Sequence, residues 1–375
     1  MSSSIVKISE EKKWNQSTDG LVLASYYIGY LLLQIPGGYL SRKAGGKWLM
    51  VIGILISSLA TFVLPYWDSF AGIFICRMFV GVGTGVVSPS NYYMISVWFA
   101  KHEKSQMASI INTLQMLGTA SALGITPVLS ESFGWRFSFL FYGQLGLLWC
   151  LLFLICVGRF PRDTKTTIFT ISEEELQYIE SDPQYIPGKL GVIPWKHIIC
   201  NRAFLVLVYN HFSFNWNFYM FLSWLPTYIK SLDPSYYTGI YSLIPYLVLP
   251  FIIIPNGFLS DYLAKEKILS DLFIRKFNQS FGLLSSSVFL IALSFARVDA
   301  PTALALTMCG IIFQGFSMAG GFSVNHLDLF PRHASIAWGI TNTFSVIPGI
   351  LGIFLQGWIL QVTSSNWAVP FMIGF

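Results

Sequence analysis

One arginine, Arg77, stands alone among uncharged residues in the stretch 69–100. A guanidinium does not lose its proton in a protein, and at the centre of a membrane helix it costs at least about 2.5 kcal/mol. Two arrangements offset that cost. The paired donors can grip a carboxylate or phosphate ligand, or the side chain can bond carbonyls and snorkel toward the surface only eight residues away. Gly81, Thr84 and Ser88 follow Arg77 at i+4, i+7 and i+11, on one helical face. A second polar stripe, His211, Asn215 and Tyr219, has i, i+4, i+8 spacing and can line a cavity from one helix. His211 is the member of this set whose intrinsic pKa suits a proton gradient; the plainer reading is a histidine bonded to a carbonyl near a helix end.

The elements that must position these residues follow from composition. Apolar residues make up 54% of the chain, aromatic ones 17% and charged ones 11%, against about 25% charged in soluble proteins, so the class is an all-α polytopic membrane protein. Runs free of Lys, Arg, Asp and Glu cover 20–40, 48–67, 105–130, 137–158, 203–229, 234–260, 277–296, 300–325 and 334–362, and 69–100 is interrupted only by Arg77. Each is long enough to cross about 30 Å of hydrocarbon, which predicts ten complete spans. Residues 367–375 read as part of an eleventh. Uninterrupted runs without two-residue alternation exclude barrel strands.

Sixteen of the 23 Lys and Arg lie in alternate loops (42–47, 101–104, 159–202, 265–276 and Arg332), six in the others, and Arg77 within a span. The positive-inside rule makes the richer side cytoplasmic. The chain divides into a non-cytoplasmic tail 1–19, an N-terminal lobe 20–158, a cytoplasmic linker 159–202 and a C-terminal lobe 203–375. Within the linker, Ser172 and Glu175 form a capping box that predicts a short surface helix. GYLSRKAGGK (38–47) and GFLSDYLAKEK (257–267) repeat a glycine, a short apolar stretch and a charged cytoplasmic turn, as in transporters built from two related lobes.

Several blocks resemble the anion:cation symporters of the major facilitator superfamily, the group of sialin and the vesicular glutamate and sodium-phosphate transporters. They are QIPGGYLSRKAGGK (34–47), RMFVGVGTG (77–85), HFSFNWNFY (211–219) with LPTY (225–228), GFSVNHLDLFPR (321–332) and GITNTFSVIPG (339–349). The FSxNWxFY stretch looks sialin-like. The resemblance implies a twelve-helix fold of two lobes, alternating access around a central anion site, and H+ or Na+ coupling. It makes Arg77 the substrate anchor, and Tyr30 and Asn342 hydrogen-bonding partners of the solute. The family's first helix, which usually carries another anion-holding arginine, has no counterpart in this stretch of sequence, and most of the last helix is also missing. Where the family usually has a proton-coupling glutamate, this chain has Thr84, whose hydroxyl does not titrate near physiological pH.

At the cytoplasmic ends, Arg42 and Asp261 in the repeated turns, with Arg275, Asp328 and Arg332, read as gating charges that break and re-form during alternating access. Ordinary solvated loops are the competing reading. Asn15 opens a sequon on the non-cytoplasmic side and is a glycosylation candidate; Asn278 opens another at a cytoplasmic helix start and is expected to stay unmodified. The five cysteines have no metal-ligand spacing and read as packing. No basic cluster tracks a nucleic-acid backbone, and no nucleophile elbow or phosphate-binding loop suggests an enzyme. The reading is a secondary transporter of small organic or inorganic anions, without a cofactor and without a required oligomer, in the plasma membrane or a lysosomal or vesicle membrane. Thr84 and the missing helices support an alternative, a truncated non-transporting relative acting as a regulatory or partner membrane protein.

Overall fold

The computed structural model describes residues 4–14, 16–100, 103–166, 168, 170–181, 193–233, 238–295, 299–363 and 366–373. Its α-helices in chain order are α1 (Ile5–Lys12), α2 (Gln16–Leu32), α3 (Gln34–Ala44), α4 (Gly46–Val63), α5 (Phe70–Gly85), α6 (Val87–Trp98), α7 (Lys104–Phe133), α8 (Trp135–Cys156), α9 (Glu173–Glu180) and α10 (Trp195–Ile199). They continue as α11 (Arg202–Leu232), α12 (Thr238–Val248), α13 (Pro250–Lys265), α14 (Asp271–Phe295), α15 (Ala300–Phe313), α16 (Gly315–Gly320), α17 (Phe322–Leu329), α18 (Ala334–Val362) and α19 (Ala368–Ile373). Among the described residues, seven helical stretches are long and apolar enough to cross a bilayer, and the α2–α3 pair, bent by 44°, makes an eighth when taken as one span. The two other runs expected from the sequence coincide with α7, 30 residues long, and α11, 31 residues long.

Four runs read as uninterrupted are in fact broken: α2 gives way to α3, α5 to α6, α12 to α13, and α15 to α16 and α17. Pro36, Pro89 and Pro250 each sit in the first turn after a break. A proline there lacks only a donor the helix start leaves unused, while its ring blocks continuation from the preceding turn. The capping box is present, with the Ser172 hydroxyl accepting the Glu175 amide at 3.1 Å.

The tail is not bare chain. Its α1 buries Ile5 and Ile8 in a cluster with Val22, Leu64, Ile73, Trp135 and Phe139. Glu11 receives hydrogen bonds from Arg136 and from the Trp135 indole, which with Lys12 hold its carboxyl down at about 2. Asn15, the glycosylation candidate, lies outside the described residues. Asn278 is buried, bonded to Asn256, Ser260 and the Ile274 carbonyl, so it offers no accessible acceptor for a glycan.

Two compact units emerge. The first comprises Met1–Lys104, Leu129–Val208 and His326–Phe344; the second comprises Ser105–Val128, Tyr209–Asn325 and Ser345–Phe375. Each draws on both halves of the sequence. In the first, α2 and α5 lie backbone to backbone: a Cβ on Gly81 would come within 2.0 Å of the Tyr26 carbonyl oxygen, and one on Gly29 within 2.0 Å of that of Met78. Gly83 gives α4 the same close approach, 2.3 Å from the Gly53 carbonyl. Small residues bring backbones together where lipid supplies no hydrophobic drive. In the second unit, Asn256, Asn278 and Ser260 link α13 to α14, and the Gln279 amide oxygen accepts the Phe322 N–H at 3.0 Å, capping α17 at its break from α16.

Candidate anion-binding site

The contact between α2 and α5 in the first unit fixes the surroundings of Arg77. The side chain is half-buried, with its guanidinium 5.1 Å from the centroid of the Tyr26 ring, a cation–π geometry. Tyr27 is also within its electrostatic reach. Its Nε is buried without a hydrogen-bond partner, and no carboxylate among the described residues pairs with it. A full charge thus rests on two aromatic side chains.

From Arg77 a chain of polar groups runs along α2. Tyr26 Oη and Thr84 Oγ1 lie 3.1 Å apart, and Thr84 also bonds the Val80 carbonyl at 2.9 Å. Tyr26 stacks on Tyr30, centroids 5.7 Å apart. The Tyr30 hydroxyl receives a 3.0 Å hydrogen bond from Asn342 Nδ2 and lies 3.5 Å from the Ser88 hydroxyl. Asn342 also donates to Gln34 Oε1 at 2.8 Å, and Gln34 is fully buried. The structure therefore brings Arg77, Thr84, Tyr30 and Asn342 into one cluster within the first unit and adds Tyr26 and Gln34. Tyr26 and Tyr30 on α2 and Gln34 at the start of α3 recur every four residues, a stripe that periodicity alone could have found. An uncompensated guanidinium, phenols and an amide suit the capture of a small oxyanion, while the ring faces cover its apolar part.

His211, Asn215 and Tyr219 are on α11 in the second unit. Asn215 is buried and donates to the Ser345 hydroxyl at 2.9 Å and to its carbonyl at 3.2 Å, tying α11 to α18. His211 is also buried, its ring 4.6 Å from that of Phe322. Tyr219 is half-buried.

Another imidazole, not singled out from the sequence, is wholly buried in the first unit. His326 Nε2 lies 2.7 Å from the Thr341 hydroxyl, which also lies 3.1 Å from the Trp338 carbonyl; the tautomer of the imidazole sets which of the pair donates. Tyr92 and Trp338 flank the ring at 5.9 and 4.8 Å. Its one sequence signal is its place in NHLD, between Asn325 and Leu327.

The expected gating charges are distributed over both units. Asp261 accepts the backbone N–H of Gln106, 3.0 Å away in the first turn of α7, and Arg275 donates to the Gly320 carbonyl at 3.3 Å. Arg42 is half-buried in the last turn of α3, whereas Asp328 and Arg332 are exposed.

Residues 1–353 match the Major Facilitator Superfamily. Sialin of Ovis aries is 33% identical over 366 residues, 96% of this chain and 73% of that protein, and sialin of Homo sapiens is 34% identical over the same shares. The chloroplastic ascorbate transporter of Arabidopsis thaliana is 34% identical over 96% of this chain and 66% of its own length. A proton:xylose symporter of the same superfamily, solved with 6-bromo-6-deoxy-D-glucose, shares the fold with a TM-score of 0.67 at 14% identity, over 100% of this chain and 90% of that one. By sequence and by fold alike, the chain belongs to the Major Facilitator Superfamily.

Proposed function

We propose that this multi-pass membrane protein is a secondary transporter of small anions, with Arg77 as the anchor for the solute's carboxylate or phosphate group. The observation that carries the proposal is the half-buried Arg77, with no acidic partner among the described residues, beside the Tyr26, Tyr30 and Asn342 cluster. Relatives named for ascorbate and for sodium-dependent phosphate transport, 34% and 31% identical, support an anionic solute. The coupling ion in this reading is H+ or Na+. With Thr84 unable to titrate, a proton would be carried by a buried imidazole, His211 or His326. Asp261, Arg275 and Asp328 serve as gating charges on the cytoplasmic side.

The test is uptake of radiolabelled ascorbate, sialate, glutamate and phosphate into proteoliposomes, with and without pH and sodium gradients, by the wild type and Arg77→Ala. Uptake of one solute that disappears in Arg77→Ala supports the proposal. Folded wild-type protein that transports none of them overturns it in favour of a non-transporting relative.

A further inference from the structure

At the far end of α3 from the Arg77 cluster, the first unit gathers positive charge. Arg42 Nη1 is buried without a partner among the described residues, and the groups among them that bear on its guanidinium are the phenols of Tyr93 and Tyr39. Phenols are neutral at physiological pH. Arg159, just beyond α8, acts on the same Tyr93 hydroxyl, and its Nε lies 3.0 Å from where a Cβ on Gly45 would stand. The turn Pro331–His333 brings two more groups: His333, whose Nδ1 is buried and unpartnered, and Arg332. Arg42 and Arg332 both act on the His333 imidazole. Three guanidiniums thus bear on Tyr93 and the His333 imidazole, with two orphaned nitrogens among them, and among the described residues no carboxylate acts on Arg42 or His333.

The internal repeat sharpens the anomaly. In the second copy, the Asp261 carboxylate meets the first turn of α7, where the helix dipole and free amides favour negative charge. Arg42 occupies the same place in the first copy. There α3 lies against the first turn of α18: the Ser335 hydroxyl donates to the Gly38 carbonyl at 3.2 Å, and a Cβ on Gly38 would come within 2.6 Å of the Ser335 carbonyl oxygen. A cation beside a helix N-terminus has the wrong sign unless an anion lies between them.

We propose that Arg42, Arg159, Arg332 and His333 form a binding site for a phosphate group on the cytoplasmic side of the protein. The bound phosphate supplies the negative charge that Asp261 supplies in the other repeat, and so ties α3 to the start of α18. Half-buried Arg42 and His333 form the floor, and the exposed Arg159 and Arg332 close over the ligand as paired donors. The phosphate belongs either to an anionic lipid headgroup of the cytoplasmic leaflet or to a free phosphate in the cytosol.

The test uses the full chain in nanodiscs and does not depend on transport. Thermal unfolding is followed with inorganic phosphate in discs of phosphatidylcholine, and in discs that also contain phosphatidylinositol 4-phosphate, with chloride matching the ionic strength. Stabilisation of the wild type in either setting, lost in Arg42→Asp and requiring about 10-fold more phosphate or lipid in Arg332→Gln, is the expected result. An effect in plain phosphatidylcholine discs assigns the site to free phosphate, and one confined to the phosphoinositide discs assigns it to lipid. Arg42→Asp should also unfold at or above the wild-type temperature without ligand, because a carboxylate now faces α18. If Arg42→Asp fails to fold, the exposed Arg332→Gln decides. No stabilisation from either source, or equal stabilisation in the variants, overturns the proposal.

Discussion

Replacing Arg77 by alanine should separate stability from transport in opposite directions. The guanidinium rests on the Tyr26 ring with Nε unpartnered. Removing it from membrane depth relieves at least about 2.5 kcal/mol on the mildest insertion scale. The cation–π contact it gives up is worth about 0.5–2 kcal/mol. The difference favours the variant by about 0.5–2 kcal/mol, so Arg77→Ala should melt at or above the wild-type temperature in detergent or nanodiscs. Uptake of the anion should meanwhile vanish. Arg77→Lys keeps the charge and loses one of two parallel charge-assisted hydrogen bonds to the solute, about 1.5–3 kcal/mol, which raises the apparent KM about 10- to 150-fold. Both readings come from one preparation: a fluorescence melt and a saturation curve for uptake. A clear drop in melting temperature for Arg77→Ala would mean that the arginine holds the helices together, and retained uptake would remove it from the solute path; either result defeats the reasoning.

Further tests probe the elements that position the cluster. Gly81→Ala puts a methyl 2.0 Å from the Tyr26 carbonyl and should lower the melting temperature by the equivalent of about 1–3 kcal/mol or more, with loss of uptake, whereas Gly118→Ala, with open space around it, should be neutral or gain about 0.5–1 kcal/mol. Asn342→Leu leaves the buried Gln34 oxygen without its donor and should cost about 1–3 kcal/mol, part of which Gln34→Leu in the same background should restore in a double-mutant cycle. Because Arg136, Trp135 and Lys12 hold the Glu11 carboxyl at about 2, below its usual 4.5, it contributes stability above the usual value that is lost as the pH falls from there through 2. Glu11 is 39% exposed, so melts of Glu11→Gln and wild type should differ by no more than about 1 kcal/mol at neutral pH and converge near the acid end of that window.

The parts of the fold legible in the sequence were those written in charge. The ten runs emerged because a single misplaced Lys or Asp would have broken them, and Arg77 was conspicuous for the same reason. The breaks were less visible, since Pro36, Pro89 and Pro250 interrupt helices without interrupting apolar composition. Tyr26 and Gln34 went unmarked because an uncharged polar side chain in an apolar run costs little to overlook; their role arises from Arg77 on α5 and Asn342 on α18. The packing of α1 was hidden by its polar majority, and the Glu11–Arg136 pair joins residues 125 positions apart, beyond any local pattern. Glycines carry their own signal, since a residue without a side chain in an apolar run suits close helix approach, and backbone contact is what Gly81 and Gly83 make.

Thr84 decides where energy coupling can reside. Its hydroxyl bonds its own helix at Val80 and lies 3.1 Å from Tyr26, so it carries no charge that a proton could cancel, and Arg77 has no neighbouring carboxylate among the described residues to neutralise it between solutes. An empty site of this kind holds its full positive charge at every physiological pH and attracts anions throughout. Proton drive must then act through a group elsewhere that changes charge. His326 is the better placed of the two buried imidazoles, because its Nε2 lies in hydrogen-bond contact with Thr341, whose segment of α18 continues directly into Asn342. A second proton on its imidazole would add charge next to the turn of α18 that supplies the Tyr30 and Gln34 contacts. His326→Gln keeps an amide that can hydrogen-bond Thr341 but cannot titrate. It should leave solute-driven exchange in place while removing the response of net uptake to a pH gradient. Full gradient response in His326→Gln with loss in His211→Gln would transfer the role to α11, and full response in both variants would leave sodium as the coupling ion to test.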